Sequence, residues 1–328
     1  MEALFRYLTP LSNGRRYDWL YLQNPHGLAQ VWVAEDSQTG TIVGVGAALP
    51  RRIYVGGTEK NGCVLADFVI HPGYRTLGPA LQLQRACLES AGNGSFQFCY
   101  DFPAASMVAV YRRLGIEPRE RLVRFAKPLR ADRKIRERLG DSVVSSGLGI
   151  AANRWLAWCD RGRRQKSGCD ITLEQGACGE EFSWLARRVS SRYGVCVERS
   201  DQYLNWRYRA HPVYRYEILA TRREGTLVAY AVFLQDGEQG RIVDLFGVDE
   251  PAVLSDLVTA AVSILRQRGV ITVSAPILAS HPHAALLENL GFRARESYPV
   301  VIYVPPHAPT STLVQGKSWY LVDGDRES

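Results

Sequence analysis

The feature that most constrains this 328-residue chain is an internal repeat. Trp19 and Pro25 recur as Trp206 and Pro212, each 187 positions on, within Tyr17-x-Trp19-x-Tyr21-x-x-Asn24-Pro25 and Asn205-Trp206-Arg207-Tyr208-x-x-His211-Pro212. Thr41-Ile-Val-Gly44 recurs as Thr226-Leu-Val-Ala229 at an offset of 185. Ile70-His-Pro72 has its partner in Val248-Asp-Glu-Pro251 at 179, and Arg113-Leu-Gly-Ile116 in Asn289-Leu-Gly-Phe292 at 176. Offsets that shrink slowly along a chain are what differing loop lengths leave in two copies of one unit. The expected organisation is therefore a unit over residues 1–127, a linker over 128–170 and a second unit over 171–328, a division that the length also suits.

Hydrophobic periodicity gives each unit the order strand, strand, strand, helix, strand, helix, strand. In the first, Gln30–Glu35 and Thr41–Ala48 flank the turn signal Asp36-Ser-Gln-Thr-Gly40 and read as a hairpin. Gly44-x-Gly46 is no dinucleotide loop, because Pro50-Arg51-Arg52 and a further strand follow it where a helix would be needed. Cys63–Ile70 is the next strand, followed by a one-sided helix from Pro79 to about Ala91. Ser95–Tyr100 then alternates as a strand, Ala104–Leu114 forms a helix stopped by Gly115, and Val123–Ala126 closes the unit. Hairpins first and a strand–helix–strand crossover later predict an α/β chain whose central sheets are mixed and flanked by helices.

Composition narrows the class. Hydrophobic residues make up 46% and charged residues 22%, as in ordinary globular proteins. No stretch approaches the roughly 18 apolar residues that cross a bilayer, and the first residues do not read as a secretory leader, so the expected location is cytoplasmic. Seven cysteines without a CxxC pair suit reduced thiols better than disulfides or zinc. The net charge of +7 invites a nucleic acid partner, but the basic residues concentrate at 112–138 and 154–166 instead of interleaving with aromatics along a plausible groove, which argues against one. The linker reads as a solvated, basic helical segment. A peripheral membrane contact through Trp155 and Trp158 is the other reading of the same stretch. His281-Pro-His283 reads as a turn, no metal is expected, and neither a G-x-S-x-G elbow nor a phosphate loop of the GxxxxGK type occurs.

One stretch carries chemistry. Ala66–Glu89 runs from an apolar strand through His71-Pro72 and Arg75-Thr-Leu-Gly78-Pro-Ala80 into an amphipathic helix. Unpaired amides at a helix start and the positive end of its dipole make such a junction a place for an anionic phosphate. In the second unit the matching place reads Pro251-Ala-Val-Leu-Ser-Asp256, with no such loop.

These residues resemble the GNAT superfamily of N-acetyltransferases, in which a strand ending V-x-P, a Q/R-x-x-G-x-G/A loop and a later helix with Tyr before L-G-F occur in that order. Here they are Val69-Ile-His-Pro72, Arg75 to Ala80, and Val110-Tyr111-Arg-Arg-Leu-Gly115-Ile116. The resemblance implies that Val69 and Ile70 pair with the pantetheine arm of acetyl-CoA or another acyl-CoA. It also implies that Arg75, Thr76, Leu77, Gly78 and Ala80 hold the pyrophosphate and that Tyr111 is general acid to the leaving thiolate. An acid near the central strands would be the base, Asp67 first and Asp101 second, since a buried carboxyl is shifted toward working pH. Pro79 removes one amide from the loop and Ile116 replaces the family's Phe. Leu287 stands where the second unit would carry its Tyr, so the first unit is expected to hold acyl-CoA and the second to shape an acceptor site with Trp206, Tyr208 and His211. The reaction so implied is acyl transfer to an amine of a small molecule or amino sugar. The chain is also similar to tandem acetyltransferases associated with bacterial surface polysaccharides. The alternatives are a non-catalytic scaffold of the same fold, or a tRNA-dependent aminoacyltransferase of the peptidoglycan-bridge type.

Overall fold

In the computed structural model, the described residues are 13–92, 95–132, 135, 138, 143–162, 167–305 and 319–327. In chain order they form α1 (Gly14–Tyr17, continued by π-type turns over Asp18–Leu22), β1 (Gln30–Glu35), β2 (Ile42–Val55), β3 (Thr58–Ile70), α2 (Leu77–Gly92), β4 (Cys99–Asp101), α3 (Ala105–Arg113) and β5 (Glu120–Pro128). Then come α4 (Val143–Gly162), β6 (Asp170–Glu174), α5 (Glu180–Ser190), β7 (Val195–Val197) and α6 (Asp201–Leu204, continued by π-type turns over Asn205–Arg209). β8 (Glu217–Arg223), β9 (Thr226–Asp236), β10 (Gln239–Gly247), α7 (Pro251–Gln267), β11 (Thr272–Leu278), α8 (Ala284–Asn289), β12 (Arg293–Tyr303) and β13 (Trp319–Tyr320) complete it. The chain is thus a mixed α/β protein with helices against one large sheet.

The strands lie side by side in the order β13-β7-β2-β3-β4-β12-β5-β11-β10-β9-β8-β6, with β1 on a further stretch of β2. β1, β2 and β3 pair antiparallel, as do β8, β9 and β10. Each trio then passes through a helix to a parallel neighbour, β3 to β4 through α2 and β10 to β11 through α7. At the centre the last strands are exchanged: β12 runs antiparallel to β4 (Val301 opposite Asp101), β5 antiparallel to β11, and β5 and β12 pair with each other. Both ends of the chain's core therefore depend on contacts between residues far apart in sequence.

Local chemistry explains the elements that depart from the sequence reading. β2 runs straight through Pro50, where a break is expected. Proline cannot donate to a ladder, but β1 leaves at Ala48 and β7 joins only at Ile53, so that edge is free at Pro50. The Pro50 carbonyl accepts from Asn24 Nδ2 at 3.0 Å. Trp206 and Tyr208, expected to share a strand face, lie instead in the π-type turns after α6. Asn13 and Ser200 cap α1 and α6 by accepting from Arg16 N and Tyr203 N, as short polar side chains do at helix starts. Trp19 and Trp206 then stack at 4.9 Å, and each indole donates to the other's backbone carbonyl, at 2.8 and 2.9 Å. Such a ring pair contributes about 0.5–1.5 kcal/mol beyond its buried area.

Candidate functional site

The site is a gap in the sheet. β3 and β4 pair in parallel only at Cys63 opposite Cys99 and Val64 opposite Tyr100, after which they splay. From Leu65 to Ile70 the β3 edge that faces β4 has no strand neighbour among the described residues. At the same point β3 bulges: Val45 faces Val69 and Ala47 faces Ala66, so Asp67 and Phe68 together oppose Gly46, and Asp67 takes φ +50°. A bulge re-aims backbone and side chain out of the ladder, here into the opening.

Three donors hold the Asp67 carboxylate. Arg16 Nη1 and Nη2 reach its two oxygens at 2.9 and 3.0 Å, and Tyr21 Oη donates to Oδ2 at 2.7 Å. Arg16 and Asp67 are both nearly buried, so this fork ties α1 to the bulge. Burial and the neighbouring Asp67 carboxylate raise the Tyr21 pKa, so its hydroxyl keeps its proton and remains a donor.

Asp101, the last residue of β4, lies on the other wall. Gln84 Nε2 of α2 donates to Tyr111 Oη at 3.0 Å, and Tyr111 Oη donates to Asp101 Oδ2 at 2.6 Å. Desolvation is the largest influence on this carboxyl. The Tyr111 bond favours its charged form, Glu327 disfavours it, and the balance lifts the pKa to about 7. Tyr111 is fully buried, and its own pKa is raised well above 10 by burial first and by Asp101 second. Its hydroxyl is therefore closed between Gln84 and Asp101. Tyr111 is not among the residues lining the opening, whereas Gln84, Cys87 and Asp101 are.

The loop expected to take phosphate leads into α2. Leu77, Gly78, Pro79 and Ala80 form the helix's first turn, and a Cβ added at Gly78 would meet nothing within 4 Å. Open space beside first-turn amides suits a pyrophosphate. Arg75 Nε turns back to the Ile70 carbonyl at 3.2 Å, so this Arg fastens the loop to the end of β3. Val69 and Ile70 pair with Val45 and Gly44 on β2, which leaves their other edge toward the splay. The residues present thus fit an extended pantetheine arm along β3 and a phosphate at α2.

A cavity of about 880 Å³ continues the opening. Asp67, Asp101, Gln84 and Met107 form its near wall, and His211, Tyr214, Arg241, Ser274 and Asp323 are among its far wall. Of the residues expected at the acceptor side, His211 reaches this wall and Trp206 and Tyr208 do not. Trp206 is stacked on Trp19, and Tyr208 Oη donates to Asp244 Oδ2 at 3.0 Å within the core. Burial, then Arg207 and Arg16, lower the His211 pKa to about 3, so its ring is neutral at ordinary pH.

The corresponding splay between β10 and β11 is filled by the chain itself. β10 and β11 pair only from Gln239 to Arg241 against Thr272 to Ser274. Beyond that point Tyr320 Oη donates to the Leu245 carbonyl, and Val322 bridges to Ile277. Arg199 is clamped between Asp244 at 3.1 Å and Asp325 at 2.9 Å, with its guanidinium 5.2 Å from the Tyr320 ring. His281 and His283 are buried there; the His281 ring lies 4.3 Å from Tyr320, and His281 Nδ1 accepts from His283 N. Among the described residues no group of three or more His, Cys, Asp or Glu could hold a metal ion, and no helix is long and apolar enough to cross a membrane.

Gln84, Arg16 and Tyr21 escaped the sequence reading. Gln84 had a signal: it is the polar residue inside the apolar stripe Ala80, Leu83, Cys87, Leu88 of α2, and a buried polar residue on such a stripe requires a partner. Arg16 and Tyr21 had none, because only the fold brings α1 onto β3.

Residues 4–119 match the sequence profile of the acetyltransferase (GNAT) domain. Solved structures share the fold across most of the chain. A GCN5-related N-acetyltransferase from Anabaena variabilis matches at 15% identity and TM-score 0.64, over 92% of this chain and 69% of its own. A probable N-acyltransferase from Enterococcus faecalis V583 matches at 12% identity and TM-score 0.63, over 92% and 67%. Saccharomyces cerevisiae N-myristoyltransferase with bound myristoyl-CoA matches at 13% identity and TM-score 0.57, over 89% and 70%. A search of curated protein sequences finds no match.

Proposed function

We propose that the chain transfers an acyl group, acetyl in the first instance, from acyl-CoA to an amine of a small molecule or amino sugar by direct attack. The observation that carries this reading is Asp101, a carboxyl with a pKa near 7 on the wall of the β3/β4 opening, beside an unpaired strand edge and the α2 start. A base tuned to working pH is what an amine nucleophile requires, since a protonated amine cannot attack. The nitrogen forms its bond to the thioester carbonyl carbon and the carbon–sulfur bond breaks. The nitrogen's proton passes to Asp101, and from there to the thiolate or to water. Tyr111 holds its proton too tightly to be the better acid for the thiolate, and in this reading it positions Asp101. Asp67, already bonded to Arg16 and Tyr21, shapes the bulge.

The two units, 1–127 and 171–328 joined by 128–170, are taken as copies of which only the first kept the acyl-CoA site, while His211, Arg241 and Ser274 of the second face the acceptor. The experiment is a thermal-shift and thiol-release assay with acetyl-CoA and longer thioesters against a panel of amines including D-glucosamine. Acetyl-CoA at 100 times its Kd should contribute about 2.7 kcal/mol, a shift of several degrees, and Gly78→Glu should abolish it. Tyr111→Phe removes a bond that favours the Asp101 carboxylate, so activity lost at pH 7 should return at higher pH. Loss at every pH would instead make Tyr111 the acid. No shift with any thioester and no thiol release would refute the acyltransferase reading.

A further inference from the structure

We propose that α4 is a peripheral membrane anchor that lays its outward face on an anionic lipid surface. Which face points outward is fixed by polar pins on the other side. Asn153 Oδ1 accepts from Ala131 N at 2.7 Å, and its Nδ2 donates to Asp132 Oδ1 at 3.0 Å. Asp160 takes Lys127 Nζ at 2.6 Å and is also bonded by Arg266. Gly149 lies so close to Asp132 that an added Cβ would come within 2.7 Å of it. Gly149, Asn153 and Asp160 therefore face the body, and the helix cannot roll without breaking these contacts.

The face left outside is apolar where a solvated linker helix would be polar. Leu148, Ala151, Trp155 and Trp158 follow helical spacing along it and are all exposed. Trp155 and Trp158 keep 62% and 68% of their surface. Two indoles on the solvent side of one helix are costly in water, but their ring and N–H suit the boundary between headgroups and acyl chains. The charge around them is of one sign. Arg154 is exposed beside Trp155, and the sequence continues through Arg161, Arg163, Arg164 and Lys166. Asp160, the only acid from 143 to 166, is the one turned inward. An apolar strip bordered by cations complements an anionic bilayer surface. Nucleic acid would leave Leu148 and Ala151 without a partner.

Flotation of the full chain with vesicles tests this. With phosphatidylglycerol and phosphatidylcholine at 3:7 in low salt, the protein should rise with the vesicles and its tryptophan emission should shift to the blue. With pure phosphatidylcholine or at 0.5 M salt, binding should fall at least tenfold. Trp155→Ser with Trp158→Ser should lose vesicle binding by a similar factor while the melting temperature stays within about a degree of the parent, because both side chains are exposed. Failure to float on anionic vesicles overturns the proposal, as does a double variant that binds like the parent. Self-association abolished by the double variant, with no vesicle binding, would assign the face to a second copy. Salt-sensitive binding to bulk tRNA without vesicle binding would assign it to nucleic acid.

Discussion

Asp101 and Asp67 are both carboxylates on one cavity, and their surroundings divide their tasks. Asp67 meets three donors, two of them from the Arg16 guanidinium, an arrangement that fixes the carboxylate in place. Asp101 is dominated by desolvation, with Glu327 adding to it, and these outweigh the bonds from Tyr111 and the Phe102 amide, so its neutral form gains. The folded pKa of about 7 lies above the ordinary carboxylate range, so the stability this group confers is complete below about pH 4 and is lost as pH rises through 7. Asp101→Asn removes that loss. Urea unfolding should show the variant gaining on the parent between pH 5 and pH 8 by on the order of 2 kcal/mol, less than full burial would give because the cavity admits water. A gap that does not change with pH would mean the carboxyl ionises normally. At this scale the sequence offered residue types, Asp67, Asp101 and Tyr111 among them. Their roles depend on Arg16, Tyr21 and Gln84, which touch them only after folding.

At the scale of elements, two strand splays of the same kind end differently. The opening between β3 and β4 leads to a cavity, whereas the splay of β10 and β11 is filled by Tyr320, Val322 and the Arg199 clamp. Breaking that clamp would strand a buried guanidinium, at a cost of about 3–5 kcal/mol, so the second splay is not readily emptied. Isothermal titration with CoA should therefore give one site per chain. A stoichiometry of two would mean that the Trp319–Asp325 segment is displaced. The strand and helix order was legible from periodicity, and Pro251 marked the start of α7. What fills the second splay was not, because the spacing of Trp319–Asp325 does not say where it packs.

At the scale of the molecule, β12 lies between β4 and β5, and β5 against β11. The repeat announced two similar units, and the same offsets would be left by two separate domains. Strand exchange leaves no mark on hydrophobic spacing, since β5 and β12 need an apolar neighbour but not a particular one. The two stretches 1–128 and 167–328, made separately, should each fail to show cooperative unfolding. Mixed together they should regain it if the sheet reassembles; a cooperative transition from 1–128 alone would mean that β4 can close without β12. The exchange also bears on synthesis. Every residue in and around the β3/β4 opening from Arg16 to Tyr111 has left the ribosome long before Val301 does, yet Asp101 has no strand to pair with on its outer side until Val301 arrives. Non-local pairing of this kind is slow to form and leaves unpaired edges while it waits. For roughly the last two hundred residues of translation, the nascent chain holds the parts of the opening without its shape.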